Sequence, residues 1–261
     1  MTFAHALVYS AMLGELVVLF LLVRRKIWKV LPLFSFYMLW AFLSDVVLYY
    51  VQLKFSQGIY AKAYLYQIGP DSLLQFGVLI ELAWSVLRPS KASLPRGTIY
   101  VLAFLILLTG AIIWPFANLA VPATYSKHAQ LFIHFQQTVA ILRVVCFLVM
   151  AGFSQILAIG WKDRELQVAS GFGFYAIFSL IVAVLHSHQT EGLQYLWVDE
   201  ANIASYVGTL VYWVLSFSTK EQERREFSPQ MQQILVQMGG GARTSRISLS
   251  NVPPQHPRKR D

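Results

Sequence analysis

The chain has one cysteine, Cys146. A single thiol builds no disulfide framework and no thiolate metal cluster, so both are excluded. Charge is scarce as well. Asp, Glu, Lys and Arg make up 13% of the 261 residues, about half their share in a soluble domain. Catalytic signatures are also missing: there is no HExxH pair, no Gly-rich phosphate loop and no nucleophile elbow. An intramembrane hydrolase would need a nucleophile–base pair or a metal triad, and neither can be assembled. The chain reads as non-enzymatic.

What fills the chain is apolar material: 56% of residues are hydrophobic and the mean hydropathy is +0.52. It falls into seven runs, at roughly 4–23, 31–51, 66–87, 98–118, 131–159, 165–186 and 200–218. Each approaches the roughly 20 residues that a helix needs to cross a bilayer. The pattern predicts an all-α membrane protein, a seven-transmembrane-helix bundle occupying residues 1–219.

Basic residues separate by side. One set of segments holds Arg24, Arg25, Lys26, Lys29, Arg88, Lys91, Arg96, Lys162 and Arg164, and the tail after the seventh run adds more. The opposite segments hold only Lys54, Lys62 and Lys127. Positive charge stays on the cytoplasmic side, which predicts N-out/C-in orientation in the plasma (inner) membrane. The same segregation accounts for the net charge of +8 without nucleic acid. Residues 1–12 lack Lys and Arg, so the first run reads as a retained reverse anchor, not a cleaved signal peptide.

Beyond the bundle, residues 220–241 read as a juxtamembrane segment with a short amphipathic helix. Ser228 suits its N-cap, Pro229 its first turn, and Met231, Ile234, Leu235 and Met238 its apolar face. Residues 242–261 have the composition of a disordered basic cytoplasmic tail. The expected partners are the lipid bilayer and, through residues 220–261, a membrane or cytoplasmic protein.

Proline marks the run ends: Pro32 opens the second, Gly69-Pro70-Asp71 opens the third, and Pro115 ends the fourth. A faint internal repeat is present. Phe34-Ser35-Phe36-Tyr37 in the second run matches Phe172-Gly173-Phe174-Tyr175 in the sixth. Tyr64-Leu65-Tyr66 before the third matches Tyr195-Leu196-Trp197 before the seventh. Together they suggest a 3+1+3 duplication with the fourth run as linker.

Ionisable groups inside apolar runs are costly and mark function by default. They are Glu15, Asp45, Glu81 and Arg143, with His134 and Asp71 nearer the outer edge. Counting about 1.5 Å per residue from the run ends puts Arg143 at the depth of Glu15 and Asp45, so one of these is its expected partner. Glu81 lies deeper. Most histidines fall on the outer side, but His186 and His188 are two apart and point to different helix faces. They are weak metal candidates, and no metal site is expected.

Seven runs with an outside N-terminus are the topology of microbial rhodopsins and G-protein-coupled receptors. The seventh run contains no Lys, so no retinal Schiff base can form there, and no cofactor is expected. The receptor signature Asn-Pro-x-x-Tyr is absent as well. The reading that remains is a small-ligand or proton-responsive sensor or carrier with a polar cavity in the bundle. The alternative is an accessory or assembly subunit of a larger membrane complex, its polar residues serving as interhelical glue.

Overall fold

A computed structural model describes residues 2–86, 98–117, 127–152, 163–188 and 193–219. The expected amphipathic helix and basic tail, residues 220–261, lie outside the described residues. Every described element is helical. The helices are α1 (Thr2–Arg24), α2 (Pro32–Lys54), α3 (Gln57–Val86), α4 (Thr98–Ile113), α5 (Lys127–Gly152), α6 (Arg164–His188) and α7 (Leu193–Ser218). A short 3-10 turn at Ile27–Lys29 joins α1 to α2, and another at Trp114–Phe116 follows α4.

Proline placement explains several boundaries. Pro32 occupies the first turn of α2, where its missing N–H costs nothing. Pro115 sits in the 3-10 turn that ends α4. Pro70 behaves differently. It lies inside α3, which starts at Gln57 and continues through it. The third run was expected to open at Gly69-Pro70-Asp71; the helix instead gains more than two turns ahead of that point.

Five stretches are long and apolar enough to cross a membrane: His5–Arg24, Pro32–Lys54, Ile99–Phe116, Gln130–Gly152 and Arg164–Leu185. The helices α3 and α7 are not among them. Their length suffices, but α3 carries Gln67, Asp71, Gln75 and Glu81, and α7 carries Asp199, Glu200 and Asn202. Large apolar side chains cover the outside, among them Leu13, Phe20, Val23, Phe104 and Leu215, each exposed. A water-soluble monomer rarely exposes such a continuous surface. It belongs to a membrane-embedded protein.

Six helices close a ring in the order α1–α2–α3–α5–α6–α7, with α7 packed back on α1. Helix α4 stands outside it; among the described residues it touches only α3 and α5 of the other α-helices and has no fully buried side chain. At one end of the bundle the termini are tied by polar contacts. Glu81 of α3 accepts hydrogen bonds from the backbone N–H groups of Leu33 and Phe34, both at 2.8 Å. These are orphan donors in the first turn of α2, so Glu81 caps that helix from its neighbour. Ser85 donates to Glu165 at 2.6 Å, joining α3 to α6. Arg164 donates to the carbonyls of Ser216 (2.8 Å) and Thr219 (2.7 Å), and Arg25 to that of Ser218 (2.6 Å). Two guanidinium groups thus serve the last carbonyls of α7, where the helix dipole also favours cations.

Just above this end lies an aromatic cluster. Phe34 meets Phe172, Trp213 and Phe217 edge to face, at centroid distances of 5.8, 5.1 and 6.1 Å. All four side chains are buried. Such pairs add roughly 0.5–1.5 kcal/mol each beyond their area burial. Two glycines admit the close approach. A Cβ at Gly171 would collide with the Trp213 indole, and one at Gly173 would lie 2.6 Å from the Phe147 Cβ.

Candidate functional site

Beyond the aromatic cluster the ring interior turns polar. Glu15 of α1 is fully buried. Its Oε1 accepts a hydrogen bond from the Tyr206 hydroxyl of α7 at 2.5 Å, and its Oε2 has no hydrogen-bond partner among the described residues. Asp45 of α2 and Asp71 of α3 both lie within electrostatic reach of Glu15 and of each other. Beside Asp45, Gln67 donates to Ser44 at 2.8 Å. Gln75 donates to Asp71 at 2.7 Å.

Arg143 of α5 faces this group. Its side chain is buried, and neither Nε nor Nη1 has a hydrogen-bond partner among the described residues. The guanidinium lies over the rings of Phe172 (5.9 Å) and Tyr175 (5.7 Å) of α6. These are cation–π contacts in a desolvated setting. Its charge acts on Asp71, Tyr37 and Tyr175. Arg143 makes no ion pair among the described residues. The expected pairing with Glu15 or Asp45 is therefore not formed, and Asp71 is the carboxyl group that Arg143 addresses.

The cause lies in α3. Because that helix begins at Gln57, Asp71 sits about 21 Å along it, close to the depth of Arg143 at about 24 Å along α5. Counted from the edge of the third apolar run, Asp71 looked superficial.

Other polar atoms point the same way. Ser72 is fully buried, and among the described residues its hydroxyl lacks a partner, as does Asn202 Oδ1. Asn202 also hydrogen-bonds Tyr175 through its side chain. Buried polar atoms normally find partners. Among the described residues Glu15 Oε2, Gln67 Oε1, Ser72 Oγ, Asn202 Oδ1 and Arg143 Nε and Nη1 are buried without a hydrogen-bond partner, a local exception that calls for a reason.

Among the remaining sequence candidates, Glu81 is engaged as the α2 cap at the opposite end of the interior. His134 stacks on Trp114 with centroids 4.2 Å apart, and its Nε2–H donates to the Trp114 carbonyl at 2.6 Å. It holds the end of α4 against α5. His186 and His188 fall in the last turn of α6, and their side chains lie outside the described residues. Among the described residues no cluster of three His, Cys, Asp or Glu side chains could hold a metal ion. Cys146 lines an apolar cavity of about 300 Å³ between α3, α4 and α5.

No family model, curated protein or solved structure matches this chain. Three carboxyl groups and one guanidinium, drawn from α1, α2, α3 and α5, share one low-dielectric interior. Tyr37, Tyr175 and Tyr206 bring hydroxyl groups from α2, α6 and α7. Sequence reasoning missed these tyrosines as site residues because it picked out only ionisable groups within the apolar runs. Arg164 was missed too: a basic residue at a run end reads as a solvated loop charge.

Proposed function

We propose that this is a seven-span, N-out/C-in membrane protein of the inner membrane, whose bundle interior binds and releases protons as a sensor or carrier. The observation that supports it most is the charge imbalance of the polar interior. Fully ionised, Glu15, Asp45 and Asp71 would leave two uncompensated negative charges around Arg143, in surroundings of low dielectric. Isolated buried charges of that kind are not tolerated; such groups neutralise. Protons are the simplest species that restore balance, and they need no cavity.

Within this reading the roles divide by neighbour. Asp71 is the counter-charge of Arg143. Glu15 has one hydrogen bond, one bare oxygen and no cation, so it is the proton-carrying group, with Tyr206 as its relay partner. Two carboxyl groups near each other titrate as a unit, so the response belongs to the cluster. The cyclic order of the ring supports a 3+1+3 arrangement. Helices α1, α2, α3 and α5, α6, α7 follow the same sequence around it, with α4 outside. Two such halves could rock about a shared polar centre, as in parallel-repeat carriers.

The test is infrared spectroscopy of the purified protein in lipid nanodiscs. At neutral pH the reading expects a protonated carboxyl C=O band that disappears in Glu15→Gln. Asp71→Asn should shift that band and not abolish it. Absence of any protonated carboxyl at neutral pH would sink the proposal.

A further inference from the structure

We propose that the α1–α2 face around Trp28 binds an anionic phospholipid, one acyl chain in the groove and the phosphate on the adjoining basic turn. The groove is apolar and about 870 Å³ in volume. Leu16, Phe20 and Val23 of α1 form one wall; Pro32, Phe36 and Leu39 of α2 form the other. Its α2 wall runs about 10 Å along the helix axis, roughly two-thirds of one leaflet.

Charge selects the occupant. The turn that closes the groove carries Arg24, Arg25, Lys26 and Lys29 within six residues. Trp28 lines the mouth, and the Lys29 ammonium lies over its ring at 5.6 Å. A cation is therefore fixed where the apolar channel meets the polar layer. Arg25 is committed to the Ser218 carbonyl. Arg24 and Lys26 are exposed and make no hydrogen bond or ion pair through their side chains among the described residues. A lipid phosphate supplies the missing anion, and its chain supplies the apolar filling. Basic pockets bordered by membrane helices recognise acidic headgroups in this manner.

The backbone adds a separate indication. Lys26 adopts φ 56°, ψ 25° and is the single non-glycine residue with positive φ among the described residues. Glycine takes this conformation without strain, and Asn more readily than Lys. The conformation closes α1, with the Lys26 N–H bonded to the Val23 carbonyl at 3.1 Å, and the residue that takes it is a charged Lys where Gly is usual.

The experiment uses the full chain, purified in neutral detergent. Dioleoylphosphatidylglycerol, dioleoylphosphatidylcholine and glycerol 3-phosphate are added in parallel, and melting temperature and lipid adducts by native mass spectrometry are read. Phosphatidylglycerol should raise the melting temperature by about 5 °C near saturation. The other two should not. Lys26→Gly should melt at or above the wild-type temperature without lipid, yet lose most of the phosphatidylglycerol shift. Leu39→Trp, which fills the groove, should remove the retained adduct. Lys29→Gln, at an exposed position, gives the same readout should Leu39→Trp not fold. Equal shifts with the two lipids would overturn the proposal, because charge would then be irrelevant. An equal shift with glycerol 3-phosphate would overturn the groove as acyl site. A phosphatidylglycerol shift that survives Lys26→Gly and Lys29→Gln combined would place the lipid elsewhere.

Discussion

Trp213 stands in the space that a side chain at Gly171 would need. The indole N–H donates to the Gln167 carbonyl at 3.2 Å, one turn before Gly171 on α6. The glycine and the tryptophan therefore determine together how closely α6 and α7 approach. Gly171→Ala forces the two helices apart and loosens the Phe34–Phe172–Trp213 contacts. Overpacking of this kind costs about 1–3 kcal/mol. Thermal unfolding in a defined detergent checks it, and a Trp213→Phe, Gly171→Ala pair should recover part of the loss.

Glu81 gives a second prediction. Its carboxylate satisfies two backbone donors of α2, so Glu81→Leu removes the acceptor from both, the Phe34 N–H being buried and the Leu33 N–H partly so. The expected loss is about 2 kcal/mol or more. Glu81→Gln keeps one acceptor and should lose less than half as much. Equal losses for the two substitutions would show that charge at this site, not hydrogen bonding, holds α2.

Arg143 and Asp71 supply a third. They come from α5 and α3 and face each other at matching depth. A double-mutant cycle with Arg143→Leu and Asp71→Leu should show coupling of about 1 kcal/mol. The cycle of Arg143→Leu with Asp45→Leu should be additive within about 0.5 kcal/mol. Unfolding free energies in lipid bicelles provide the four corners of each cycle.

Arg164 caps the end of α7 through two carbonyls. Arg164→Gln should destabilise the protein by about 2 kcal/mol, as buried charge-assisted bonds are lost. Arg164→Lys should recover little, since one ammonium does not span both carbonyls as a guanidinium fork does.

The all-helical architecture and several boundaries were legible in the chain, because apolar run length and proline chemistry act locally. Pro32 and Pro115 are examples. The polar interior was only half legible. Glu15, Asp45 and Arg143 stood out as charges within apolar runs. Asp71 did not, since its depth depends on the extra turns of α3 before Pro70, where polar and aromatic residues hide the helix. The capping roles of Glu81 and Arg164 were invisible for another reason. Both partners are backbone atoms of distant segments, and backbone groups carry no signature in the residue code.

The position of α4 has a consequence for sequence information. Among the described residues it touches only α3 and α5 of the other α-helices and keeps Tyr100, Phe104, Leu107 and Ile112 exposed. The ring closes without it. Nearly any apolar side chain is then acceptable on its outer face, and shape matters only where Leu102, Leu105 and Ile106 border the cavity beside Leu142 and Val145. Among the described helices this one is the least constrained text. Rewriting its exposed positions as a plain Leu and Ala pattern should leave the melting temperature unchanged, whereas the same treatment of α6 should prevent folding. Among the described helices, sequence drift across homologues should be fastest here while the length is kept.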